Sequence, residues 1–368
     1  MHLALHVRAR RPEESQYYTQ LDRSAREALL VEGIRSDDVT AWLAVHVPSL
    51  TPPVAFSLIA GGHSNLTYAC RDATGASYVL RRPPLGHVLE SAHDMGREHK
   101  IISAFAGTDV PVAPTYGLCR DVAVNDAPFY VMKFVEGTVA SDSTAVASLS
   151  LSDRRALGEH VADVLAKLHA IDPDNVGLGD LGRKEAYLAR QLSRWTKQWE
   201  ASKTHEIAAM DECRRLLEAR MPRQIGAGIV HGDYRLGNMI VGPGRIRAVL
   251  DWELCTLGDP LADVGYLLNS WFDPGEVPGG PGDGAPTAAG GFPTRAEIAA
   301  RYARTTGRDL AGINYYRAFS HWRLAAIGQG VYKRYLVGAM GQNRGVNLDA
   351  QKESVARRAH AALDLLTR

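Results

Sequence analysis

The chain has 368 residues, 45% apolar and 23% charged, with a formal net charge of +1. Such a length allows two lobes and is too long for one simple core, and the balance is that of a soluble globular chain rather than a disordered one. Near-neutral charge leaves no overall footprint for nucleic acid, and no run approaches the roughly 18–20 apolar residues of a membrane span. Neither nucleic acid nor a membrane is therefore an expected partner. The four cysteines, Cys70, Cys119, Cys213 and Cys255, form no CxxC pair and read as reduced thiols. With no signal-peptide pattern at the N-terminus, the expected compartment is the cytoplasm.

Residues 1–30 read as a polar, weakly patterned arm. The stretch DDVTAWLAVHVP (37–48) has an Asp cap, apolar Val39, Trp42 and Leu43, and a terminating Pro48, which predicts a short amphipathic helix. Three β-like runs follow at 54–60, 65–71 and 77–82, joined by GGHS and DATGA turns. A helix is expected over 93–107, with Ile101, Ile102 and Phe105 on one side, then strands in TYGLCRD and PFYVMKFVEG. The first lobe, 31–134, should thus hold a five-stranded antiparallel sheet with one helix inserted after the third strand.

Beyond it, 135–368 reads as a mainly helical lobe. Leu157, Val161, Val164, Leu165 and Leu168 recur at helical spacing in 152–172 behind a Ser/Asp cap. Helices are also expected in KEAYLARQLSRWTKQWE and at 210–222, and a hairpin at 240–251. Segment 273–293 holds seven Gly and five Pro among 21 residues, which predicts a mobile loop that buries no core. Helices resume from 294 to the end, where Tyr315, Tyr316, Phe319 and Trp322 read first as packing residues.

The chemistry concentrates in HGDYRLGN (231–238) and VLDWE (249–253). Phosphoryl transfer needs a metal on the phosphates, a group to orient or deprotonate the acceptor hydroxyl, and positive charge on the phosphate oxygens. Asp233 stands five residues before Asn238, and Asp251 follows thirteen residues later at the end of an apolar β-like run. A turn there can aim Asp233 at an acceptor while Asn238 and Asp251 converge on magnesium, which prefers oxygen ligands. Asp, Asn and metal-binding Asp occur in this order in protein kinases.

This constellation, continued by GDPLADVGYLL (258–268), resembles the aminoglycoside phosphotransferase and choline kinase superfamily. The resemblance implies an α+β, protein-kinase-like two-lobed fold and a kinase that uses ATP and Mg2+. It implies Asp233 as catalytic base, Asn238 and Asp251 as metal ligands, His231 as a brace of the catalytic loop, and Asp263 as acceptor of the loop's backbone N–H groups. In the first lobe it implies Ser64 and Asn65 near the phosphates, and Met132 and Val135 at the adenine. Arg81 occupies the position where the family places a lysine, with Glu98 as its acidic partner. Arginine keeps the charge but changes the geometry, and Arg82 is the alternative if the strand slips by one. His169, closing the long helix, reads as a packing residue rather than a ligand.

The acceptor is addressed by charge. Residues 294–368 carry thirteen Lys/Arg against five Asp/Glu, an excess of +8, and 312–340 contain no acid beside Arg317, Arg323, Lys333 and Arg334. A basic wall formed by Arg317, Arg323 and Arg334, with Trp322, would oppose a polycationic aminoglycoside and suit an anion; cations on a solvated outer face are the other reading. The segments YVLRRPPLG, SAHDMGREHKII and LDWELCTLGDPLADVGYLL also resemble the phosphotransferase domain found beside acyl-CoA dehydrogenases. That resemblance implies a small-molecule acceptor with a hydroxylated acyl chain, and a metabolic link to an acyl-CoA dehydrogenase. An antibiotic-modifying kinase and a nucleotide-binding regulator without turnover stand as alternatives.

Overall fold

The computed structural model describes residues 31–60, 65–85, 94–276, 284–338 and 346–368. The N-terminal arm, Ser64 and the centre of the Gly/Pro-rich segment lie outside the described residues. The chain divides into two compact units, Met1–Ala106 with Ala113–Val135, and Gly107–Val112 with Glu136–Arg368.

The first unit starts with helix α1 (Ser36–His46), then strands β1 (Ala55–Ala60), β2 (Leu66–Arg71) and β3 (Ser77–Arg82). Helix α2 (Met95–Ala104), β4 (Thr115–Cys119), the one-turn α3 (Val122–Asn125) and β5 (Phe129–Lys133) complete it. The sheet is antiparallel throughout in the order β1-β2-β3-β5-β4. Alternation along β3 sorts its side chains: Tyr78 and Leu80 join the core with Val39, Leu43 and Phe129, while Val79 and Arg81 point to the opposite face. Trp42 stacks on His46 at 3.9 Å and meets Phe129 edge-on at 5.0 Å. Its ring packs closely on Gly117, where a Cβ would lie 3.1 Å from it. Helix α2 is capped by Asp94, whose carboxylate accepts the Arg97 N–H, and it buries Ile101 and Ile102. The short α3 was not foreseen; four residues are too few to show a period.

The second unit contains β6 (Thr138–Val139), the 20-residue α4 (Leu151–Ala170), α5 (Tyr187–Ser202) and α6 (Ala208–Ala219). Strand β7 (Gly228–Val230), a 3-10 turn (Leu236–Asn238), β8 (Met239–Gly242), β9 (Arg245–Val249) and β10 (Thr256–Gly258) follow. Four helices close the chain: α7 (Leu261–Asn269), α8 (Arg295–Thr306), α9 (Ile313–Leu336) and α10 (Leu348–Thr367). Helix α4 is capped by Ser150 and buries the five apolar residues at its helical spacing, so the cap lies before Ser152. Helix α7 is buried along nearly its whole length. It meets α9 so closely that a Cβ on Gly265 would lie 2.7 Å from the Tyr316 backbone.

The Gly/Pro-rich segment departs from expectation in its second half. Ala285, Thr287 and Phe292 are buried there. Trp271 Nε1 donates to the Pro293 carbonyl at 2.8 Å, and the Phe272 N–H donates to Thr287 Oγ1 at 2.8 Å. Composition alone suggested no core, but these side-chain hydrogen bonds, the edge-on contact of Trp271 with Phe292 and the Arg154 bond to the Ala289 carbonyl seat this stretch beside α4. Among the described residues, no helix is long and apolar enough to cross a membrane.

Candidate active site

Strands β7 and β10 pair antiparallel, Val230 opposite Thr256, so the two ends of segment 231–255 lie side by side. Segment 231–238 leaves β7 through His231 and Gly232. Gly232 has φ +86°, and a Cβ would lie 2.9 Å from the Leu254 carbonyl, so only glycine fits the turn.

Asp263, fully buried on the first turn of α7, anchors that turn. Its carboxylate accepts the His231 N–H at 2.6 Å and the Gly232 N–H at 2.8 Å. His169, at the end of α4, approaches through Nε2 at 3.3 Å, and its Nδ1 lies 2.7 Å from the Tyr302 hydroxyl. Burial alone would raise the Asp263 pKa, but hydrogen bonding and the charges around it hold the carboxyl below its ordinary range. Burial lowers the His169 pKa. A charged Asp263 only accepts, so neutral His169 donates through Nε2–H and accepts the Tyr302 O–H at Nδ1. Three helices, α4, α7 and α8, are thereby tied to one carboxylate.

The His231 ring fixes the other side. Its Nδ1 accepts the Asp233 N–H at 3.2 Å, and its Nε2 donates to the Leu250 carbonyl at 3.0 Å. It rests on Trp252, ring centroids 4.6 Å apart. The Leu250 N–H donates to the Asn238 carbonyl at 2.8 Å. Leu250 is thus held at both ends of its backbone, and Asp251 follows it immediately. Asp251 adopts φ +63°, a left-handed conformation rare for a non-glycine residue and characteristic of functional positions.

Asp233 is partly buried. Its Oδ2 accepts Asn238 Nδ2 at 2.7 Å, the same nitrogen that donates to the Asp233 carbonyl at 2.9 Å. Arg235 Nε lies 3.5 Å from Oδ1. With the amide nitrogen of Asn238 committed to Asp233, its oxygen remains as the acceptor that can face a cation. Asn238 oxygen and the Asp251 carboxylate are the hard donors that suit magnesium. Among the described residues, no three His, Cys, Asp or Glu side chains cluster as a metal cage. A cation held here would complete its shell with phosphate and water oxygens.

In the first unit, Arg81 Nε lies 3.3 Å from Glu98 Oε2, and Asn65 Nδ2 lies 3.4 Å from the same oxygen. Glu98 is 3% exposed, so this carboxylate is matched by a cation where water cannot reach. Arg82 points to the other face and donates to the carbonyls of Gly33 and Asn125. The strand register therefore selects Arg81. Met132 is buried on β5, and Val135 is half-buried at the end of this unit.

The four acceptor-site candidates do not form the expected wall. Trp322 is 1% exposed and donates Nε1 to the Met210 carbonyl, which makes it core. Arg334 is exposed near the end of α9. Arg317 is half-buried, its Nε on Asn269 Oδ1 at 3.1 Å. Arg323 turns inward instead: Nη2 donates to the Gly232 carbonyl at 2.6 Å, and its guanidinium lies 5.3 Å from the Tyr266 ring centroid. Four positions on one helix of 24 residues face several directions, so charge counting could not group them. Sequence reasoning also passed over Tyr302, Tyr266 and Arg235, whose partners are distant or whose types are common on surfaces.

The class that this fold and this loop define is the protein-kinase-like phosphotransferase. The chain belongs to the phosphotransferase enzyme family, whose sequence profile matches residues 55–316. Mouse acyl-CoA dehydrogenase family member 10 is 39% identical over 293 residues, covering 78% of this chain and 27% of that protein. The chain thus spans about a quarter to two fifths of the length of the curated relatives it matches. A solved structure from Ralstonia eutropha, assigned to the aminoglycoside phosphotransferases, shares 37% identity at TM-score 0.76, covering 90% of this chain and 98% of that one. Aminoglycoside phosphotransferase APH(4)-Ia, solved with AMP-PNP and hygromycin B, shares the fold at 16% identity and TM-score 0.57, covering 90% of this chain and 98% of that one.

Proposed function

We propose that the chain is an ATP- and magnesium-dependent kinase acting on a hydroxyl of a small anionic, acyl-derived metabolite, a hydroxy acid or a hydroxyacyl-CoA. The observation that carries the reaction is Asp233, its carboxylate oriented by Asn238 at 2.7 Å and its backbone N–H held by His231 at 3.2 Å. A carboxylate fixed in this way can accept the proton of an acceptor hydroxyl as the phosphorus–oxygen bond forms. Asn238 and Asp251 would hold magnesium, which supplies charge neutralisation on the phosphates. Arg81, paired with Glu98, would add positive charge to the nucleotide phosphates, with Asn65 and Ser64 beside them and Met132 and Val135 at the base. His231, Asp263 and Arg323 keep the loop in place without touching substrate.

The anionic, acyl-derived acceptor is supported by the likeness to acyl-CoA dehydrogenase family members; the cations of 294–368 do not converge on one face and add no support. The test is a panel of hydroxy acids, hydroxyacyl-CoA thioesters and aminoglycosides with ATP or GTP, reading nucleotide diphosphate release. Turnover confined to the acyl compounds is expected. Turnover of aminoglycosides alone refutes the acceptor, and nucleotide binding without turnover of any acceptor refutes the kinase. Asp233→Ala should lower kcat by about 10²–10⁴, the usual loss for a general base, with nucleotide affinity retained.

A further inference from the structure

Helix α5 carries a basic groove that the reaction above does not use. Residues 183–197 contain Arg183, Lys184, Arg190, Arg194 and Lys197 against Glu185 alone, a local charge of +4. A shallow, open depression of ≈ 730 Å³ is lined by Ala189, Arg190, Ser193, Arg194, Lys197 and Gln198. These positions advance by three or four residues and share one face of the helix. Like charges at that spacing repel, so the face is destabilising by itself and an anion relieves it. Lys184 and Lys203, just outside the groove, are each neutralised by acids, Asp174 for the first and Glu200 with Glu206 for the second. Inside it, Arg190 gives Nη2 to the Arg183 carbonyl at 2.6 Å, which fixes its guanidinium without neutralising it. Arg194 is held over the Trp195 ring at 5.1 Å.

The groove is anchored to the catalytic segment at one end. Tyr187, first residue of α5, packs on Gly258 so tightly that a Cβ there would lie 2.1 Å from its ring. Gly258 pairs with Gly228 on β7, the strand that leads into His231. At a rise of ~1.5 Å per residue, Arg190 lies about 4.5 Å and Lys197 about 15 Å along the axis from Tyr187. Three cations spread over roughly 10 Å match an extended group with several negative charges; a single carboxylate would meet only one of them.

We infer that this groove binds the phosphate-bearing nucleotide handle of a coenzyme A thioester, with Arg190, Arg194 and Lys197 on the diphosphate and the ribose phosphate. The inference rests on the acyl-derived acceptor proposed above and chooses the thioester over the free acid. Ser193 and Gln198 supply neutral hydrogen-bonding groups between the cations.

The test uses the full chain and the double variant R194Q/K197Q, whose two side chains are exposed and leave the helix core intact. Calorimetry with free coenzyme A and with adenosine 3′,5′-bisphosphate measures binding without ATP or turnover. Affinity should fall about 10–100-fold in the variant, the scale of one or two lost charge-assisted hydrogen bonds, and wild-type affinity should drop as salt rises. The preference for hydroxyacyl-CoA over the free hydroxy acid, as a ratio of kcat/KM, should fall at least about tenfold. Coenzyme A binding equal in both proteins overturns the groove even if the kinase turns over hydroxy acids. Weaker binding in the variant supports the groove even if no acyl acceptor is phosphorylated, in which case only the proposed reaction fails. Equal loss of affinity for inorganic phosphate, RNA and anionic vesicles marks a nonspecific cationic face and also overturns it.

Discussion

Replacing Asp263 with asparagine tests the anchor of the catalytic turn at nearly constant volume. The carboxylate has two acceptor oxygens and receives three groups, His231 N–H, Gly232 N–H and His169 Nε2, at 2.6, 2.8 and 3.3 Å. An amide offers one oxygen and two N–H donors, so at least one buried donor must face another donor. An unmet buried donor costs about 1–3 kcal/mol, and the remaining contacts lose the roughly twofold strength that charge gives them. A total of roughly 3–5 kcal/mol follows, from one unmet buried donor and two weakened hydrogen bonds to a formerly charged acceptor. At about 2–4 °C per kcal/mol for a unit of this size, Tm should drop by roughly 6–20 °C. Thermal and urea unfolding measure it directly. The pH dependence has a definite sign, because the folded pKa of Asp263 lies below its ordinary value. Its stabilisation is present above the unfolded carboxylate pKa of about 3.9 and is lost as pH falls through the lower folded value. The gap between wild type and variant should therefore close below about pH 4. A variant within about 1 kcal/mol of wild type at pH 7, or a gap unchanged down to pH 3, refutes the reasoning.

Gly265→Ala should destabilise by about 1–3 kcal/mol, since the new methyl meets the Tyr316 backbone at 2.7 Å and must push α7 from α9; an unchanged urea midpoint would contradict the close approach. Arg323→Met should cut kcat by about 10²-fold by releasing the Gly232 carbonyl, the scale of a catalytic group displaced by about 1 Å. Its cost in stability should stay within about 1–3 kcal/mol, because the Gly232 carbonyl loses its donor while a buried Nε with no partner among the described residues is also removed. Kinetics and urea unfolding on one preparation separate the two, and a large stability loss with full activity would contradict the role as a brace.

Features written in neighbouring residues were the legible ones. The bonds from Asn238 to Asp233 span five residues, so their spacing shows in HGDYRLGN. Strand β3 shows in SYVLRR, because alternation is a local property of the chain. His169 read as packing, and it is buried. Its bonds to Asp263 and Tyr302, 94 and 133 residues away, carry no mark in the sequence around it. Arg323 and Arg334 looked alike as cations on an acid-free helix, yet one is buried under the Gly232 turn and the other is exposed. Which side of a long helix faces which neighbour depends on packing, and a nearly uniform apolar pattern around α9 gives no single stripe to read. Segment 284–293 shows the reverse error, where glycine and proline content hid Phe292 and Thr287.

The contact of Trp42 with His46 and Phe129 has a practical consequence. Of six tryptophans, Trp42 is the one in the first unit; the other five, at 195, 199, 252, 271 and 322, belong to the second. Trp42→Phe therefore removes all indole emission from the sheet unit while leaving the helical unit fully visible. Subtracting the variant's denaturation curve from that of the native protein isolates the melting of the sheet around a single fluorophore. Whether the two units unfold together or in sequence becomes a question that one cuvette experiment answers.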